Sequence, residues 1–331
     1  MRWSVVLGAV GLALVASATS GRAQTHDRLN RMIPLLEQGL PILGVAHPPY
    51  AAGRGGRGGG ENGNGGAEAA PQPVIADAAK ETVEYTLGDY VLNSYSPATA
   101  DRYREFVRAI LAAGGSARTH PFAAKVPIVH DNEQEALGRL TDQLNDGQVV
   151  VVMQEVETVE EVEQAIRAMR FPSKGGSRPE SGFGRAAAYW QMSEADYREK
   201  ADLWPLNPEG ELLLNVIIES REGVANARAI AAVPGVSVVT VGAGTLGGVF
   251  SSTNAAGERV RDQAGFDQAV EQILAACKAA GKSCGYPANH AAQVEALMAD
   301  GWDFLIMQRR DQDAFDAVLT GRRLGGRPTT H

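Results

Sequence analysis

Residues 212–250 read LLLNVIIESREGVANARAIAAVPGVSVVTVGAGTLGGVF. Leu212 to Ile218 is an apolar run of strand length, Ser220 is placed to cap a helix, and Gly235 ends that helix before a second apolar run, Val236 to Val241. Strand, helix and strand of this kind make one βαβ unit. Its strands carry little polar alternation, the pattern of a parallel sheet covered on both faces. The first strand closes on Glu219 and the second on a glycine-rich turn, Gly242 to Gly248. In a parallel sheet both points lie at the carboxyl edge, where α/β folds assemble their sites. Glu219 is therefore either a site carboxylate or a charge that favours the start of the following helix.

Outward from this unit the alternation continues. Strands are expected at Ile42–Ala46, Asp89–Asn93, Val126–Val129, Gln148–Met153, Leu212–Ile218 and Val236–Val241, with two more starting near Ser283 and Trp302. Helical spacing fills the intervals. Eight alternating units predict a (β/α)8 TIM barrel, an α/β fold, begun by residues 24–47 and resumed by residues 74–320. The segment 48–73 contains AAGRGGRGGGENGNGGAEAAPQP, which cannot bury apolar area and is expected to be a flexible insert. It lacks the GxxxxGK[ST] pattern of a phosphate cradle. The polar residues 321–331 are expected to form a flexible tail.

The whole chain has 331 residues, 44% hydrophobic and 21% charged, with a formal net charge of -8. The acidic balance and the lack of a basic stripe argue against a nucleic-acid partner. At the start, Arg2 precedes VVLGAVGLALVASA, and small residues lead to Ala18 and Ala23. This pattern predicts a signal peptide over residues 1–23, hence export to a periplasm or beyond and no stable membrane span after cleavage. In an oxidising compartment Cys277 and Cys284 are either a small-loop disulfide or two separate thiols; their spacing matches no metal motif.

Several stretches also carry a resemblance. VIIESREGVANARAIAAVPGV with VTVGAGTLG, VETVEEVEQAIRAMRFPSKGGSR and GFGRAAAYW resemble the HpcH/HpaI aldolases, class II pyruvate aldolases related to the citrate lyase β-type enzymes. The resemblance implies a phosphoenolpyruvate/pyruvate-type barrel, a carbon–carbon lyase acting on a small 2-oxo acid, a divalent metal of the Mg or Mn kind, and a homo-oligomer built through C-terminal helices. It places Glu219 on the family's metal-binding Glu and the Gly242, Ala243, Gly244, Thr245 backbone on the turn that cradles the substrate carboxylate. Arg185 falls on the family's matching Arg, and Gln154 and Glu155 close the fourth strand. The resemblance gives Glu219 as a metal ligand; Glu155 is added as a second from its position at the end of the fourth strand, and the substrate-binding residues are Gly242 to Thr245, Gln154 and Arg185.

The departures are chemical. The family's second metal ligand, an Asp, falls on Thr245. Its Glu-His pair after the second strand is absent, and GDYVLNSYSP offers Tyr95 as a replacement base. Its carboxylate-gripping Arg, in PVVRVPxND, is matched to PIVH, which assigns His130 to hydrogen bonding with the substrate. Two other functions compete with an exported aldolase. One is an inactive or repurposed barrel that binds a small acid. The other is a lyase or hydrolase whose metal is held by relocated groups at one rim, drawn from His47, His120, His130, Glu155 and Glu219. Each histidine is otherwise a hydrogen-bonded loop residue, and Glu157, Glu160, Glu161 and Glu163 read as a solvated helix face.

Overall fold

The computed structural model describes residues 28–48 and 74–330; the expected signal peptide and all but the first residue of the expected insert lie outside them. The strands in chain order are β1 (Ile42–Ala46), β2 (Tyr90–Asn93), β3 (Phe122–Val126), β4 (Val150–Met153), β5 (Leu213–Ile218), β6 (Val238–Val241), β7 (Ser251–Thr253), β8 (Arg259–Arg261), β9 (Ser283–Pro287) and β10 (Phe304–Met307). Eight of them close into a parallel barrel in the order β1-β10-β9-β6-β5-β4-β3-β2. Helices run outside, between the barrel strands. This is the TIM-barrel architecture expected from the alternation.

The reason is visible in the strands. All six residues of β5 and all four of β4, β6 and β10 are buried, one face toward the barrel interior and the other toward the helices. Inside, the Tyr90 ring fills the space beside Gly44, where a Cβ would overlap it, and stacks on Phe304 at 5.1 Å between centroids. Thr240 on β6 donates its hydroxyl hydrogen to the Asn215 side-chain oxygen on β5 at 2.8 Å. Local signals agree with the global fold. Ser220 accepts the Gly223 N–H at 3.1 Å and starts the helix Arg221–Ala232, and Gly235 follows that helix with φ 104°.

Three expectations are corrected. The third strand is Phe122–Val126, because Pro127 has no N–H to extend the ladder. The polar stretch STNAAGERVRDQAG, residues 252–265, whose composition predicts a loop, lies largely in an antiparallel hairpin, β7 with β8. The last helix, Gln312–Leu324, runs past Leu319, and residues 321–330 are not a loose tail. Arg322 donates to the Leu87 carbonyl at 2.8 Å, and both arms of the Arg327 guanidinium reach the buried Asp89 carboxylate while one also donates to the Pro41 carbonyl. Cys277 and Cys284 are joined in a disulfide between the end of one helix and β9. Among the described residues no helix is long and apolar enough to cross a membrane.

Candidate functional site

The carboxyl ends of the barrel strands open into a cavity of about 140 Å³. Tyr90, Phe304 and Ile306 contribute its apolar surface, and the polar groups are Lys125, Asn215, Glu219, Thr240, Thr245 and Gln308. Among the described residues Lys125 and Glu219 are its sole charged side chains, from β3 and from the residue after β5. Alternation along β3 points Lys125 inward, in register with Val152 of β4.

Glu219 is 5% exposed. One carboxylate oxygen accepts the backbone N–H of Glu155 at 3.1 Å, and the carboxylate lies so close to Gly242 that a Cβ there would overlap it. The glycine is required by this close approach. Gly242, Ala243, Gly244 and Thr245 line the cavity and form the turn into the helix Ala243–Val249. The N–H groups of a first helical turn have no partners within the helix, so this rim of the cavity can receive an anionic oxygen. Glu219 and the Gly242–Thr245 turn thus line the same cavity.

The other sequence candidates lie elsewhere. Glu155 is next to Glu219 through its backbone, in a left-handed conformation with φ 47°, but its side chain does not line the cavity. Burial, followed by the charge of Glu219, raises its carboxyl pKa. Gln154 donates to the Val126 carbonyl at 2.7 Å. Tyr95 and Arg185 both bind Asp146, the Tyr95 hydroxyl at 2.6 Å and the Arg185 guanidinium at 2.5 Å, with Arg104 as a third partner. Burial and then the hydrogen bond to Asp146 push the Tyr95 phenol upward, which ill suits a base.

His130 also belongs elsewhere. It follows the end of β3 by several residues and pairs its Nδ1 with Glu161 at 2.7 Å. Glu161 in turn caps the helix Val159–Met169 together with Thr158. Partial burial opposes the imidazolium, but the hydrogen bond and charge of Glu161 outweigh it and raise the pKa. The residue on β3 that does face the cavity is Lys125. Its signal was present in the sequence: AAKVP lies in register with the VVRVP part of the family motif, a better match than PIVH.

The rim of histidines does not form. His47 contacts Ser94 at 3.0 Å, and burial lowers its pKa. His120 precedes β3, at the amino end of the barrel, where burial and then Arg31 push it down to about 4. Among the described residues no group of three or more His, Cys, Asp or Glu side chains could hold a metal ion. Among the described residues the cavity itself has one carboxylate, a neutral Thr245 hydroxyl and a lysine. A hard divalent cation wants several oxygen ligands and is repelled by a neighbouring ammonium. This donor set does not fit the two-carboxylate metal that the resemblance implied.

The family model for HpcH/HpaI aldolase/citrate lyase matches residues 94–305. A hydroxypyruvate/pyruvate aldolase from Chromohalobacter salexigens is 34% identical over 162 residues, 49% of this chain and 58% of that protein. Another from Delftia acidovorans is 35% identical over 166 residues, 50% of this chain and 55% of that protein. The chain thus spans less than two thirds of the length of these relatives. An HpcH/HpaI aldolase/citrate lyase family structure from Burkholderia cenocepacia J2315 superposes with a TM-score of 0.63 at 21% identity, covering 84% of this chain and 92% of that one, a likeness of fold. The matched span, taken with the closed barrel, shows that this chain belongs to the HpcH/HpaI aldolase/citrate lyase family.

Proposed function

We propose that the cavity binds a small 2-oxo acid of the pyruvate type and that the protein is a carbon–carbon lyase of the aldolase kind. The observation that carries this reading is the buried Glu219 carboxylate held against the Gly242 turn, with Lys125 in the same cavity. The relatives named as hydroxypyruvate/pyruvate aldolases support the substrate class. The acid's carboxylate is received by the Gly242–Thr245 turn, the positive charge of Lys125 offsets its burial, and Glu219 takes the proton from the carbon beside the oxo group.

The test is exchange of the pyruvate methyl protons in D2O, followed by NMR. The expected result is exchange with the wild-type protein and a loss of about 100-fold or more in Glu219→Gln. Absence of both binding and exchange would sink this reading. Pyruvate binding without exchange would favour the second reading, a barrel that binds a small acid without turning it over. One observation supports that reading: no histidine lines the cavity among the described residues.

Export remains part of the proposed biology. It is supported by the Arg2 and apolar pattern of residues 1–23 and by the Cys277–Cys284 disulfide, a bond at home in oxidising compartments. Mass measurement of the mature amino terminus tests it. An unprocessed chain recovered from the cytosol would overturn it.

A further inference from the structure

We propose that Lys125 forms a Schiff base with the bound 2-oxo acid and so supplies the electron sink that a divalent ion supplies in a class II aldolase. This rests on the reading of the cavity as a 2-oxo acid site. Three observations converge on Lys125. Its side chain is directed into the cavity from β3, partly buried, with Glu219 in the same lining. The cavity's donor set does not suit a divalent ion, so the carbonyl needs another means of polarisation.

The third observation is the lack of a structural task for its amine. Lys80 pairs with Glu84 and Lys200 with Glu209, while Lys174 and Lys278 donate to the carbonyls of Glu199 and Asp300. Among the described residues no side chain or carbonyl pairs with the Lys125 ammonium; Lys125 is held through its backbone oxygen, which accepts from Gln143. Lys282, also without a recorded partner, precedes β9 and does not line the cavity.

The chemistry balances without an oxidant or reductant. The neutral amine attacks the oxo carbon, the carbon–nitrogen bond forms, and the carbonyl oxygen takes up a proton to give a carbinolamine. Loss of water leaves a protonated iminium. That group accepts the electron pair when a proton leaves the adjacent carbon to Glu219, or when the bond from that carbon to a hydroxyl-bearing carbon breaks, the hydroxyl giving up its proton and the fragment leaving as an aldehyde; an enamine results in either case. Reprotonation at carbon and addition of water return the oxo acid and the free lysine.

The experiment is borohydride reduction of the full mature protein in the presence of pyruvate, read by intact mass and peptide mapping, with pyruvate binding and proton exchange measured in parallel with and without EDTA. The expected result is a reduced pyruvyl adduct on Lys125, together with exchange that EDTA leaves unchanged. Lys125→Arg keeps the charge, and it is expected to give no adduct and to lose exchange by about 100-fold or more. Pyruvate that binds wild type yet leaves no adduct, an adduct confined to other lysines, or exchange that EDTA abolishes and a divalent ion restores would each overturn the proposal. If pyruvate neither binds nor exchanges, the reading of the cavity falls first and this inference falls with it. The wild-type trapping result stands even if the variant fails to fold.

Discussion

The Glu219 carboxylate, at the end of β5, accepts the backbone N–H of Glu155, just beyond β4, across 3.1 Å. Two neighbouring strand ends are thereby tied together by the side chain that faces the cavity. The hydrogen bond also fixes which way the carboxylate points: its second oxygen is turned against Gly242.

Gly242→Ala is expected to force this arrangement apart, because the new methyl would occupy the place of the Glu219 carboxylate. Overpacking of this kind costs about 1–3 kcal/mol. Chemical denaturation measures the cost, and titration with pyruvate should show at least a tenfold weakening, or roughly 1.4 kcal/mol. A variant with unchanged stability and affinity would show that the carboxylate has another resting place.

His130→Ala separates the structural role of this histidine from a catalytic one. The folded-state pKa of His130 is raised by Glu161, so its pairing stabilises the fold below the unfolded pKa and the benefit is lost as pH rises through the folded value. The substitution should therefore destabilise the fold more near pH 6 than near pH 9, by no more than about 1 kcal/mol since the ring is partly exposed, which thermal unfolding at the two pH values checks. Pyruvate exchange should stay within about a factor of two. A collapse of exchange would return His130 to the site.

Arg327→Ala tests the anchored carboxyl-terminal segment. Asp89 is buried and accepts from the Leu43 N–H at 2.9 Å as well as from Arg327, with Arg31 and Arg322 farther off at 4.0 and 3.7 Å. Removing Arg327 leaves a buried carboxylate with weaker partners, and a loss of about 2–4 kcal/mol is expected in denaturant unfolding. A loss under about 0.5 kcal/mol would mean that Arg31 and Arg322 compensate in full.

The strands that were legible are those buried on both faces, since β4, β5 and β6 announce themselves as apolar runs whatever their neighbours. β3 was misplaced because its apolar residues continue on both sides of Pro127, and the choice between FAAKV and VPIV depends on which stretch finds ladder partners in β2 and β4. That shift had a chemical consequence. A strand at Val126–Val129 puts His130 at its end, whereas the strand Phe122–Val126 turns Lys125 inward by alternation from Ala123. The histidine rim failed for a related reason: His120 and His130 are ten positions apart in number but lie before and after β3, so they belong to opposite ends of the barrel.

By itself the sequence determined the alternation of strands and helices, the cap at Ser220, and the location of Glu219 and the Gly242 turn at strand ends. These depend on hydrogen bonds and periodicities that span a few residues. Only the tertiary structure decided which groups share a cavity. Lys125 lies on β3, while Glu219, Thr245 and Gln308 follow β5, β6 and β10, and the four meet because the closed sheet carries all its carboxyl ends to one rim. Tyr95, Arg185 and His130 were drawn away by nearby carboxylates, Asp146 and Glu161, whose pull is set by distances in space and leaves no mark on local spacing.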